Sequence, residues 1–65
     1  MNKFKCPCCL NYTLTEKPPG TYAICSMCNW EDDSVQYDDP NYKGGANEMS
    51  LNEAKRVFAN GGKVF

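Results

Sequence analysis

Five cysteines in a 65-residue chain constrain the fold more than any other feature. Three crowd the segment KCPCCLNY, at Cys6, Cys8 and Cys9, and two follow at Cys25 and Cys28. A chain of this length is one domain, and its core is too small to hold the fold without a staple such as disulfides or a metal ion. The cysteine count is odd, so a closed set of disulfides would leave one thiol over. No apolar run near the N-terminus reads as a secretory signal, and no stretch is apolar enough to span a membrane. The expectation is therefore a cytoplasmic protein with reduced thiols, where clustered cysteines bind metal more often than they pair.

Four of the five have metal-ligand spacing: Cys6-x-x-Cys9, fifteen residues, then Cys25-x-x-Cys28. Two intervening residues let one tight turn aim both sulfurs at a single ion. Two such turns, brought together by a chain reversal, complete a tetrahedron. KPPG, Lys17 to Gly20, supplies the reversal between the strand-like runs YTLT and TYAI. Cys8 is left as the spare thiol or as an alternative ligand to Cys9. The expected ion is one Zn²⁺, with iron the alternative that the same ligand set accepts. A four-thiolate site is coordinatively closed and leaves no position for substrate, and no catalytic dyad is visible, so the chain does not read as an enzyme. Pro7 suits the first turn, and Asn29 suits the left-handed end of the second. Leu10, in the corresponding place of the first turn, tolerates that conformation poorly, so the first turn is expected to be less regular.

The fold class that follows is a small metal-stabilised α+β domain: a zinc-ribbon-like antiparallel β hairpin or sheet plus one C-terminal α-helix. A single domain over residues 1–65 divides into a metal-binding ribbon at about 3–30, an acidic and glycine-rich loop at about 31–49, and a helix at about 50–60. FK before Cys6 reads as a short strand, and Tyr12, Tyr22 and Ile24 as cover for the sheet. The helix is SLNEAKRVFANGG. Ser50 and Glu53 form a capping box, Leu51, Ala54, Val57 and Phe58 make the apolar stripe, and Asn60-Gly61 ends it. The closing GKVF either adds an edge strand or stays loose.

NWEDDSVQYDDP is the second unusual stretch. Trp30, Glu31, Asp32 and Asp33 read as a surface for a protein partner of basic character. The competing readings are a solvated loop with Trp30 packed over the metal turn, and a hard-cation site, whose spacing does not match an EF-hand. Gly44-Gly45 resembles a phosphate nest, but without the lysine of a P-loop its role is conformational.

Seven basic and eight acidic side chains give a net charge of −1, with no histidine. Four thiolates add four negative charges and a dication returns two, so the metal-loaded chain carries about −3. That balance disfavours nucleic acid, whose grip depends on neutralised phosphates, although Lys3, Lys5, Lys55 and Arg56 would be the residues to use. A thiol switch pairing Cys8 with Cys6 or Cys9 is the other alternative.

Taken in order, KCPCC, GTYAICSMCNWEDDSVQ, DP, GGAN and SLNEAKRVF resemble the bacterial cysteine-rich CPCC family, over about Lys5 to Phe58. The resemblance implies a small zinc-ribbon-like protein from a bacterium or phage, and names no activity. It marks all five cysteines, Trp30 to Asp33, and Gly44 to Asn47 as signature positions. Leu10 departs from the glycine expected after CPCC, and Glu48 occupies a variable place after GGAN.

Overall fold

The structure is a computed structural model that describes residues 3–64. Two strands, β1 (Phe4–Lys5) and β2 (Tyr12–Leu14), pair antiparallel around the first cysteine turn. Phe4 faces Leu14 and Lys5 faces Tyr12, with an irregularity between the two pairs. The second cysteine turn closes a similar hairpin, with a bridge between Ile24 and Glu31 and backbone hydrogen bonds from the Tyr22 N–H to Asp32 O and from the Asp32 N–H to Ala23 O. The segment TYAI therefore does not pair with YTLT. Each arm instead pairs with the chain on the other side of its own cysteine turn. The reason is local: a turn that reverses the chain over four residues brings its own flanks together at the smallest loop-closure cost. Tyr12, Tyr22 and Ile24 do not cover a sheet; all three are exposed.

Two helices follow, α1 (Ser34–Asp38) and α2 (Leu51–Ala59). α2 starts where the capping box places it. Ser50 Oγ accepts from the Glu53 N–H, and the Ser50 N–H donates to Glu53 Oε1. It ends in a Schellman turn: the Gly62 N–H reaches Val57 O and the Gly61 N–H reaches Phe58 O, with Gly61 at φ +79°. Leu51 and Ala54 are buried, and Val57 and Phe58 pack beside them. Val64 is fully buried without forming a strand, so the C-terminal segment is neither an edge strand nor loose up to that point; Phe65 lies outside the described residues.

α1 stands where the sequence read as an acidic loop. Its cause is Asp33, whose Oδ1 accepts from the N–H groups of Val35 and Gln36 as an N-cap. Asp33 Oδ2 accepts from the Ala46 N–H at 2.8 Å, which pins the glycine-rich loop to the helix. That Ala46 hydrogen bond leads the causes that lower the Asp33 pKa, more than offsetting the opposing effect of burial. Gln36 is fully buried inside this loop. Its Nε2 donates to the carbonyls of Tyr42, Asn47 and Met49, and its Oε1 accepts from both the N–H and Nδ2 of Asn47. Asn47 then acts as a surrogate strand for Glu31, accepting from its N–H and donating to its carbonyl. A buried polar cluster satisfied this completely fixes one loop conformation.

Gly45 is required by space. A Cβ there would lie 2.7 Å from Asp33 Oδ2 and 2.9 Å from Gln36 Cδ. Gly45→Ala is expected to destabilise the metal-loaded protein by about 2 kcal/mol, read as a lowered melting temperature. An unchanged melting temperature would mean the loop is not packed on Asp33 and Gln36 as described.

Candidate metal centre

The two cysteine turns repeat one hydrogen-bond pattern. The Leu10 N–H donates to Cys6 O and the Asn29 N–H to Cys25 O, both at 2.9 Å. One step outward, the Cys6 N–H donates to Asn11 O and the Cys25 N–H to Trp30 O, again at 2.9 Å. Residues 6–11 and 25–30 are thus equivalent knuckles. Leu10 at φ +65° and Asn29 at φ +73° occupy the same left-handed place. The expected irregularity of the first knuckle is absent. The hydrogen bonds of the turn demand the left-handed residue whichever side chain it carries, and leucine bears a cost of about 1 kcal/mol there.

These knuckles bring four sulfurs together. The Sγ atoms of Cys6, Cys9, Cys25 and Cys28 all lie within 4.8 Å of one another. Cys6 and Cys28 are 3.7 Å apart, and Cys9 and Cys25 are 3.6 Å apart. A tetrahedron with metal–sulfur bonds of about 2.3 Å has edges of about 3.8 Å, so the cluster fits one thiolate-bound ion. No disulfide links them. Among the described residues this is the one group of cysteine and acidic side chains placed to hold a metal.

The four thiols differ in how readily they ionise. The hydrogen bond to Cys28, then burial, raises the pKa of Cys6. Burial raises that of Cys9. At Cys28 the Cys6 hydrogen bond favours the thiolate, but the neighbouring Cys8 thiol and burial outweigh it, and the pKa is raised. Cys25 is the exception. Burial opposes its ionisation, yet the Thr13 hydroxyl, with Oγ1 3.0 Å from Cys25 Sγ, and the N–H groups of Cys28 and Met27 hold it down at about 6. Backbone N–H groups of Cys8 and Cys9 aim at Cys6, that of Asn11 at Cys9, and that of Trp30 at Cys28. Such donors orient thiolates and spread their charge, and a bound dication removes the mutual repulsion that resists their ionisation.

Cys8 is outside the four-sulfur group and is 4 % exposed. It occupies the knuckle position that Met27 fills in the second turn, where the side chain is exposed instead. Cys8 is thus a core side chain next to Cys28.

The expected partner surface is not a surface. Trp30 is 1 % exposed, Asp32 1 % and Asp33 6 %; only Glu31 is partly accessible. The carboxylates of Asp32 and Asp33 turn into the fold, where Asp32 Oδ1 is buried without a hydrogen-bond partner among the described residues. Asp32 Oδ2 accepts from the N–H and hydroxyl of Thr21, while Asp33 caps α1 and holds Ala46. They turn to different partners and form no hard-cation site. Trp30 lies in the core with Leu14, Leu51, Ala54 and the buried cysteines, as the competing reading has it, but the segment that follows is a buried, helix-bearing one rather than the solvated loop of that reading. Thr13 was not singled out by sequence. Its signal is only its place in β2, the strand that leaves the first knuckle.

Together the fold and the site define a small metal-stabilised α+β protein with a four-cysteine centre. The chain matches the family described as Cysteine-rich CPCC over residues 4–64, and belongs to it. No curated protein gives a significant match. No helix among the described residues is long and apolar enough to cross a membrane.

Replacing Thr13 by valine removes the one side-chain hydroxyl that supports a ligand sulfur. Cys25 then holds its proton to higher pH. Chelator competition should show metal affinity reduced by roughly 10–100-fold, with the loading midpoint moved upward in pH. An unchanged affinity would assign Thr13 no part in the centre.

Proposed function

We propose that this protein is a zinc-binding module whose four-cysteine site is structural, and that it acts by binding another protein rather than by catalysis. The observation that carries the reading is the convergence of Cys6, Cys9, Cys25 and Cys28 from two equivalent knuckles onto one tetrahedral position. Cys6, Cys25 and Cys28 are buried and Cys9 is partly so, which leaves little room for an exchangeable ligand. Four thiolates suit zinc, with iron the alternative, and in a cytoplasmic setting they would stay reduced. The burial of Cys8 weighs against its use as a thiol switch.

A site of this type supplies about 10–16 kcal/mol to folding, more than a core this small provides by itself. Removing the ion with a chelator should therefore unfold the chain, seen as red-shifted Trp30 fluorescence. Cys8→Ala should still retain one ion per chain, and Cys28→Ala should lose it. A chain that stays folded without metal, or a Cys8→Ala variant that cannot bind it, would contradict the structural four-cysteine site.

A further inference from the structure

The burial of Trp30, Asp32 and Asp33 moves the question of partner binding to another face. An open groove of about 480 Å³ runs between the first knuckle, α1 and α2. Leu10, Tyr37, Pro40 and Leu51 give it an apolar lining, and the charged residues among those lining it are Lys5 and Lys55. Neither lysine forms an ion pair among the described residues. Lys5 Nζ instead sits 5.8 Å from the centroid of the exposed Tyr12 ring. No carboxylate lines the groove. On a chain with net negative charge this is a local positive, apolar site.

Leu10 carries the argument further. It sits at φ +65°, where glycine or asparagine would be unstrained, and it is 57 % exposed. The knuckle needs the conformation but not the leucine, and the core does not use it. A large apolar side chain held at a strained, exposed position is explained by what it presents to the groove.

We infer that this groove binds a segment of a partner protein that carries an apolar side chain flanked by carboxylates. The inference rests on the reading of the protein as a protein-binding module, and it reverses the partner charge expected from the sequence. The volume suits one or two apolar side chains, and the lysines pair with flanking acids at the rim. Two cations on a chain of about −3 release too few counterions to hold a nucleic acid. They are also too few to hold an anionic membrane without a larger apolar face.

The test titrates isotope-labelled, zinc-loaded protein with a short synthetic peptide that has leucine and phenylalanine between glutamates. A matched peptide with lysines for the glutamates, an oligothymidylate and phosphatidylserine vesicles are run beside it. The acidic peptide should shift the amides of Lys5, Leu10, Tyr37, Leu51 and Lys55. The Lys5→Glu, Lys55→Glu double variant should weaken binding at least about ten-fold with metal content unchanged. Leu10→Gly should abolish binding while leaving the melting temperature within a few degrees, because relief of strain offsets glycine's added freedom. Equal binding of the lysine peptide, shifts elsewhere, no shifts at all, or binding only to the oligonucleotide or the vesicles would overturn the assignment. Photo-crosslinking in the parent cells separates the two levels. A crosslinked partner retained by the double variant discards this groove and keeps the module reading, and no partner for the unaltered protein discards both.

Discussion

The fold depends on four sulfurs being held within 4.8 Å of one another. Uncompensated, that arrangement is unfavourable, since thiolates this close repel and buried thiols resist ionisation. Backbone N–H groups of each knuckle aim at the sulfurs, and Thr13 adds a hydroxyl at Cys25. A thiophilic dication held there would turn the repulsion into attraction. The hairpin arms are two and three residues long on one side, and on the other a bridge between Ile24 and Glu31 with a few flanking backbone hydrogen bonds. Strands so short have no independent stability, so the knuckles organise the strands and not the reverse.

A second tier hangs on the first through polar groups. Trp30 closes the second knuckle and is buried in the core. Next along the chain, Glu31 is clamped by Asn47, Asp32 by Thr21, and Asp33 caps α1 while holding Ala46. Gln36 and Asn47 complete the cluster and deliver the chain to Ser50, where α2 begins. The segment between Glu31 and Ser50, irregular apart from α1, is thereby ordered by side-chain hydrogen bonds rather than by sheet ladders. It also forms one wall of the groove through Tyr37 and Pro40.

What the sequence made legible follows from how local each signal is. The Cys-x-x-Cys pairs, the Ser50–Glu53 box, the stripe on α2 and the Gly61 terminus are short-range patterns, and the structure places them as read. Pairing of the hairpin arms was misassigned because alternation in YTLT and TYAI fits any neighbour, and nothing in it encodes which flank closes. α1 was missed because five residues are too few for periodicity to show, and its cause is an aspartate that also reads as surface charge. The same ambiguity misplaced Trp30, Asp32 and Asp33. Composition records that a carboxylate is charged, but not that Thr21 or Ala46 waits inside to receive it.

The most direct test is X-ray absorption at the zinc edge on purified protein whose metal has been counted by native mass spectrometry. One zinc per chain with a single shell of four sulfurs at about 2.3 Å is the predicted result. A shell containing nitrogen or oxygen, fewer than four sulfurs, or a chain that is folded and metal-free would contradict the four-cysteine centre that organises the rest of the structure.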